Sequence, residues 1–213
     1  MSIDGGRALV IATRSRHKLA ELHELLTLER ARLMTLDEVG CLEEAVEEAP
    51  SFRGNAVAKA RFYAGCGRAA TLADDSGLEV DALDGAPGVR SRRYAGSQAT
   101  DVQNNQRLLA ELDGLPPERR AARYRCVLAF TDPDLPAADG RPLVVTRSGV
   151  FEGRIALRPR GAGGFGYDPL FEPLDEPPGG RTVSQLSAAQ KNRISHRARA
   201  ARAMGRYLRS VGY

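Results

Sequence analysis

The feature that most constrains the fold is a pair of adjacent aspartates, Asp74 and Asp75, between two strand-like stretches at 71–73 and 78–82. The pattern predicts a strand that ends in two carboxylates, then a turn at Ser76–Gly77, then a second strand. Neighbouring side chains of a strand point to opposite faces, so only one aspartate can face a given site while the other is held from behind. Taken alone, the stretch is also typical of an ordinary turn.

The length and composition indicate a soluble globular protein. With 213 residues, 27% charged and 42% hydrophobic, the chain can form one large domain or two closely joined lobes. It contains no leader pattern and no apolar run of ~18 residues, so we expect a cytoplasmic protein that does not enter a membrane. The cysteines Cys41, Cys66 and Cys126 are widely spaced and odd in number. They predict reduced thiols and argue against a zinc site.

The positive charge is concentrated at the C-terminus. Residues 177–213 carry eight basic residues and no acidic one, whereas the preceding 176 residues hold 23 basic and 27 acidic residues. This asymmetry suggests an anionic partner. Part of the charge lies on a helical stripe opposite an apolar face, which indicates a solvated surface or, alternatively, a nucleic-acid contact. The stripe consists of Arg199, Arg202, Arg206 and Arg209.

The N-terminal segment resembles an anion site. An apolar run at 7–13 predicts a buried strand, and three leucines at helical spacing predict a helix after the basic residues 14–18, with Ser15 as N-cap. Free backbone N–H groups and the helix dipole at such a junction favour phosphate. The alternative is a solvated helix start.

The middle of the chain predicts two more helices and three more strands. The helices cover 51 to about 64 and 100 to about 112, and the strands cover 31–36, 122–130 and 143–150. Residues 151–155 either continue the last strand or pair back on it, while 132–142 indicates a surface connection. On the first of these helices Lys59 points inward, which requires an anionic partner unless the side chain snorkels to solvent.

Residues 161–166 match the pattern G-x-G-x-x-G, but no helix can begin at the Tyr-Asp-Pro that follows. We therefore reject a dinucleotide fingerprint and predict a flexible loop that presents Phe165 and Asp168. Phe165 either stacks on a base or packs in the core. Only three of the 31 basic residues are lysine, namely Lys18, Lys59 and Lys191. Each lies in one of these candidate regions, which indicates positions that need a compact charge.

Five blocks in order and spacing resemble the inosine triphosphate pyrophosphatase family, the dITP/XTP pyrophosphatases. They are Thr13–Leu22, Ser51–Ala60, Ala73–Leu78 with Gly85–Gly88 and Arg93–Gly96, Gly163–Phe171, and Lys191–Arg197. The resemblance implies an α/β fold that is elongated and two-lobed around a long twisted mixed sheet. It implies one domain over 1–213 with the active-site cleft between the lobes, and a homodimer.

The implied activity is Mg²⁺-dependent hydrolysis of ITP, dITP or XTP to nucleoside monophosphate and pyrophosphate. Asp75 is the implied catalytic residue, Glu47 and Asp75 the metal ligands, and Lys59 and Asp74 the supporting residues. The implied contacts to the nucleoside triphosphate come from Thr13, Arg14, Ser15, Arg16, His17, Lys18, Ser76, Phe165, Gly166, Tyr167, Asp168, Lys191, His196 and Arg197.

The chain departs from the family pattern in two regions. Ser15 stands where the family usually has Asn, and Arg14 where it often has a small residue. Ala49-Pro50 and Gly54 replace a common Gly-x and an acidic residue, which leaves Glu43, Glu44 and Glu48 as rivals of Glu47. One alternative function is pyrophosphatase activity on modified pyrimidine nucleotides. The other is nucleic-acid binding through the C-terminal arginines.

Overall fold

The computed structural model describes residues 6–136 and 142–213. Six strands form one sheet in the order β2-β1-β3-β4-β5-β6. The strands are β1 (Arg7–Ala12), β2 (Ala31–Met34), β3 (Thr71–Val80), β4 (Ala121–Pro136), β5 (Pro142–Ile155) and β6 (Phe171–Pro173). The helices are α1 (Arg16–Leu25), α2 (Phe52–Gly67), α3 (Asp101–Glu111), α4 (Ala188–Ile194) and α5 (His196–Ser210).

The sheet is mixed, which confirms the predicted α/β class. β1 runs parallel to β2 and β3, with Ile11 opposite Leu72, whereas β5 and β6 are antiparallel. The apolar run of β1 is buried from Leu9 to Ala12, as expected of a parallel strand covered on both faces.

The described residues divide into two compact units. The first holds 6–75, 126–136, 142–149 and 197–213, and the second holds 76–125 and 150–196. Each unit has its own apolar core. In the first, side chains of β1, α1, β3, β4 and α5 pack together, and in the second, side chains of β3, α3, β4, β5 and β6 do so.

The helix starts follow the sequence signals. Ser15, Ser51, Thr100 and Ser187 are the N-caps of α1 to α4, and each side chain accepts a hydrogen bond from the backbone N–H three residues later. The predicted ends are less accurate, since α2 continues three residues beyond Ala64. No helix among the described residues is both long enough and apolar enough to span a membrane.

Two strand predictions are wrong in part. β3 runs without interruption through Ser76–Gly77, where a turn was expected. Asp74 and Asp75 are bound in ion pairs with distant lysines, so they do not fold back onto the local backbone as turn aspartates do. β4 continues through the expected surface connection to Pro136, and Asp132 is buried there, where it accepts hydrogen bonds from Arg7 and Tyr213. The rest of that connection, 137–141, lies outside the described residues.

The prediction of reduced thiols is also wrong for two of the three cysteines. Cys41 and Cys66 form a disulfide with their Cα atoms 5.9 Å apart, and only Cys126 is a buried free thiol. Cysteines 25 residues apart in sequence give no sign that folding brings them together. The bond joins α2 to the irregular segment 35–50, which carries Glu47.

Candidate functional site

The start of α1 gathers six of the predicted nucleotide contacts, Thr13 to Lys18. Ser15 caps the helix by accepting from the backbone N–H of Lys18, and Thr13 Oγ1 accepts from the backbone N–H of Ser15 at 3.2 Å. The first turn holds no acidic residue, and the side chains of Arg16 and His17 are exposed there. A helix N-terminus of this kind, with cationic side chains and no carboxylate, attracts anions.

Two of the basic side chains in this segment already have protein partners. Lys18 Nζ lies 2.7 Å from Asp74 Oδ1, and Arg14 donates to Asp37 Oδ1 at 3.2 Å and to the carbonyl of Cys41 at 2.6 Å. Two of the three cations at this helix start are therefore compensated within the protein. Arg14 lies against the 35–50 segment rather than being committed to a ligand.

Asp74 is the held carboxylate that the strand alternation predicts. It is 2% exposed, and Arg197 Nε donates to its Oδ2 at 2.9 Å, on the opposite oxygen from Lys18. Burial alone would raise the pKa of Asp74, but the charges of Arg197 and Lys18 outweigh it and hold the pKa well below its usual range. Arg197, 1% exposed, also pairs with Glu21 of α1. Its guanidinium is thus an internal structural group.

Asp75, the next residue of β3, has a different environment. Lys59 Nζ lies 2.8 Å from Asp75 Oδ1 and 3.3 Å from Glu47 Oε2, so one ammonium joins the two predicted metal ligands. Burial raises the pKa of Asp75, and the nearby Lys59 charge offsets this only in part. Burial lowers the pKa of Lys59 less than the Asp75 and Glu47 charges raise it, so the ammonium is retained.

The residues present fit a magnesium ion. Asp75 Oδ2 is buried and has no hydrogen-bond partner among the described residues, so it is an acceptor available to a cation. Mg²⁺ takes one or two carboxylates and completes its shell with water and phosphate oxygens. Within 6–136 and 142–213 no group of three or more His, Cys, Asp or Glu side chains could hold a metal. A cation bound here would therefore need oxygen atoms of a bound phosphate or of water in addition to the protein carboxylates.

The second unit builds a loop around another buried carboxylate. Asp168, 3% exposed, accepts from Lys191 Nζ at 2.7 Å, from the backbone N–H of Phe165 at 3.0 Å and from the hydroxyl of Tyr124 at 3.1 Å. Gly164 has φ +74°, and a Cβ there would lie 2.2 Å from Asp168 Oδ2. The loop can close around Asp168 only because position 164 has no side chain.

Aromatic side chains complete this region. The Lys191 Nζ atom lies 4.5 Å from the centre of the Phe165 ring, which is half-buried, so the alternative that Phe165 belongs to the core is not borne out. His196 stacks on Tyr124 with ring centres 4.8 Å apart and planes at 11°. Tyr167 is a core residue whose hydroxyl donates to the carbonyl of Ser91.

The predicted residues therefore fall into two groups. The first unit brings together residues 13–18, Glu47, Lys59, Asp74, Asp75 and Arg197, and the second holds Ser76, residues 165–168, Lys191 and His196. All three lysines bind carboxylates, which agrees with the prediction that these positions need a compact positive charge. Sequence reasoning missed Glu21 and Tyr124. Glu21 lies three residues after Lys18, at the spacing of one helix face, which was the available signal.

The fold and these side chains define an α/β protein equipped to hold an anionic, phosphorylated ligand. The chain belongs to the Ham1 family, whose sequence profile matches residues 9–207. It is 47% identical over 197 residues to the dITP/XTP pyrophosphatase of Mycolicibacterium paratuberculosis, covering 91% of this chain and 92% of that protein. It is 41% identical over 203 residues to the dITP/XTP pyrophosphatase of Shouchella clausii, covering 95% and 97%.

Solved structures of Ham1 proteins are also similar to this chain. The Ham1 protein of Staphylococcus aureus is similar with a TM-score of 0.83 and 31% identity, over 96% of this chain and all of that one. A HAM1 protein from Coxiella burnetii has the same TM-score at 38% identity, over 96% and 99% of the two chains. The family resemblance predicted from the five sequence blocks is confirmed.

Proposed function

We propose that this protein hydrolyses non-standard purine nucleoside triphosphates, namely dITP, ITP and XTP, to nucleoside monophosphate and pyrophosphate. The observation that carries the proposal is the buried Asp75, whose Oδ1 is bound to Lys59 while its Oδ2 has no hydrogen-bond partner within 6–136 and 142–213. Relatives that match nearly the whole chain are dITP/XTP pyrophosphatases, which supports the same substrates here. Removal of deaminated purines from the nucleotide pool is the consequence.

Glu47 and Asp75 are the proposed magnesium ligands. When bound, Mg²⁺ would supply positive charge to the phosphate oxygens. Glu47 is partly exposed and Asp75 is buried, so the two carboxylates offer one solvent-facing and one shielded ligand. Lys59 lies between them and keeps both oriented.

Asp75 is the proposed proton acceptor for the attacking water. Its raised pKa increases its affinity for a proton, and Lys59 fixes the orientation of its carboxylate. Lys18 and the backbone N–H groups at the start of α1 stabilise negative charge that develops on the phosphates. Phosphoryl chemistry of this kind depends on positioning and charge, so no serine or cysteine nucleophile is required.

The base and sugar are assigned to the second unit and to the His196–Arg197 backbone. Phe165 offers a ring face for stacking, and Lys191 and Asp168 hold that ring in place. Backbone donors near His196 and Arg197 would pair with the 6-oxo group of hypoxanthine or xanthine. Adenine presents an amino group instead and would leave those donors unpaired, a mismatch that discriminates by ~10⁴.

The cellular setting is part of the proposal. We infer a cytoplasmic homodimer that acts as one catalytic domain on a free nucleotide rather than on nucleic acid. The four C-terminal arginines of the stripe are exposed and the apolar side of α5 is buried, which supports a solvated face.

The decisive test is a substrate panel with the purified protein and Mg²⁺. Pyrophosphate and orthophosphate are measured separately with dITP, XTP, dATP, dGTP, UTP and methylated dTTP. We expect pyrophosphate from dITP and XTP, at rates at least ~10²-fold above those for dATP. Preferred turnover of the pyrimidine nucleotides would instead favour the modified-pyrimidine reading. Release of orthophosphate alone would overturn the proposal.

A further inference from the structure

Helix α3 is bound to the backbone of the loop that presents Phe165. Gly166 donates its N–H to Asp101 Oδ2 at 2.7 Å, and its carbonyl accepts from Asn105 Nδ2 at 3.0 Å. Asp101 and Asn105 are four residues apart, so they lie on the same face of α3. Both polar groups of one glycine are therefore held by one helix.

These two hydrogen bonds act on the flexible point of the loop. Gly166 has φ +62°, a conformation that glycine adopts far more readily than other residues. The flanking residues form a tight turn, in which the Phe165 N–H donates to Asp168 and the Asp168 N–H donates to the Phe165 carbonyl. Lys191 and Tyr124 bind the Asp168 side chain, and α3 binds both peptide groups of Gly166, so the turn is anchored at two points.

Asn105 is an unusual choice for a residue that only fills space. It is 9% exposed, and its Oδ1 is buried without a hydrogen-bond partner among the described residues. An unsatisfied buried acceptor costs free energy that an apolar side chain of similar size would avoid. The amide is thus best explained by the one bond that it makes, to Gly166.

We propose that Asp101 and Asn105 are positioning residues for base recognition: from α3 they fix the Gly166 backbone and so set the position of the Phe165 ring. The inference rests on the proposed function, since Phe165 is the residue assigned to stack on the purine. Neither residue needs to touch the substrate. Their effect is on the affinity for the base rather than on the phosphoryl step.

The test compares Asn105→Ala, Asp101→Ala and Asp101→Asn with the intact protein. Steady-state kinetics with dITP and dGTP are combined with amide hydrogen exchange of the peptide covering 163–168, measured without substrate. Asn105→Ala and Asp101→Ala should raise KM for dITP roughly tenfold, the effect of losing one hydrogen bond, with kcat changed less than about threefold. Exchange of the 163–168 peptide should be several-fold faster.

Asp101→Asn keeps an acceptor for the Gly166 N–H but removes the charge at the first turn of α3. Asp101→Asn should retain a KM near that of the intact protein. If Asp101 acted only through its charge on the helix dipole, both Asp101 variants would show the same raised KM. Gln106→Ala is the control, because Gln106 is exposed on the same helix. It should change neither KM nor exchange.

The outcomes separate the two proposals. If the intact protein releases no pyrophosphate from dITP, the proposed function fails, while the exchange measurement still reports on the α3 anchor. If the alanine variants show unchanged KM and unchanged exchange in an active enzyme, the positioning inference fails. A raised KM without faster exchange would indicate direct substrate contact, and this too would overturn it.

Discussion

Two buried carboxylates, Asp74 in the first unit and Asp168 in the second, are held in different ways. Asp74 is bound by two cations distant in sequence, Lys18 and Arg197, and its environment depends on charge. Asp168 is bound by one cation, one backbone N–H three residues away and one phenol. Asp74 connects elements of the fold, and Asp168 shapes a loop.

The difference teaches that the two units hold a buried carboxylate by different means. In the first unit, cations from distant elements balance its charge, which suits the phosphate recognition that we propose there. In the second unit, backbone and aromatic groups hold it, which suits the stacking on a base that we propose for Phe165. Asp75 resembles neither carboxylate, because its Oδ2 accepts no hydrogen bond from the part of the chain that the structure describes.

The largest expected effect separates Asp75 from both structural carboxylates. Asp75→Asn removes the proposed proton acceptor and one metal ligand, so turnover of dITP should fall by about 10³-fold. Lys59 keeps Glu47 as a partner at 3.3 Å, so the free energy of unfolding should fall less than in Asp74→Asn. Pyrophosphate assays and urea unfolding measure both quantities. Asp84→Asn, at an exposed position, is the control, and near-normal turnover of Asp75→Asn would remove this residue from the chemistry.

The next effect tests the charge network of the first unit. Asp74→Asn leaves Arg197 and Lys18 without their shared carboxylate, so the free energy of unfolding should fall by about 3–5 kcal/mol. Urea unfolding at neutral pH measures the change. In the double variant Asp74→Asn, Arg197→Met part of the loss should be recovered, since the buried guanidinium is also removed. Losses that simply add would show that the two residues are not coupled.

A smaller effect is expected for the corresponding change in the second unit. Asn at position 168 can still accept from Phe165 and Lys191 and donate to the Tyr124 oxygen, so only the charge is lost. Asp168→Asn should therefore cost about 2 kcal/mol in unfolding free energy, less than Asp74→Asn. Equal losses in the two variants, compared in the same urea series, would contradict the distinction drawn between the two carboxylates.

The smallest effect concerns Tyr94, which lies in the second unit and donates a hydrogen bond to Glu111. Burial, followed by the bond to Glu111, raises the pKa of Tyr94 from 10.0 to about 12. Because the pKa of Tyr94 is higher in the folded state, the protonated phenol stabilises the folded protein fully at pH values below the unfolded-state pKa. This stabilisation is lost as the pH rises from the unfolded-state pKa to the folded-state pKa. Tyr94→Phe should therefore lose less stability than the intact protein between pH 10 and about 12.

The measurement is urea unfolding of both proteins at several pH values across that interval, with the difference between them as the readout. Other buried tyrosines titrate in both proteins, so their contributions cancel. If the free energies of unfolding of the two proteins fall in parallel with pH, the Tyr94 proton does not contribute to stability.

The sequence predicted what depends on local pattern and failed where distant residues meet. The alternation of β3 correctly separated Asp74 from Asp75, and the helix starts predicted at Ser15, Ser51 and Thr100 are the N-caps of α1, α2 and α3. The turn at Ser76–Gly77 was wrong, because its prediction used local bonding by aspartates that are in fact paired with Lys18 and Lys59.

The candidate site shows the same limit. All three lysines were identified, but no sequence rule names Asp168 as the partner of Lys191 or Glu21 as the second partner of Arg197. The Cys41–Cys66 bond was missed because a thiol pair is defined by distance in the fold.

The pairing of β1 with β3 has a consequence for how such a chain can evolve. Ala12 lies opposite Ala73, immediately before the two aspartates. A deletion of one residue just upstream in β3 would place Asp75 beside Arg197, where Asp74 now lies, and Ser76 beside Lys59, where Asp75 now lies. Length changes at this point are therefore more damaging than most substitutions, and we expect β3 to keep a constant length while surface loops vary.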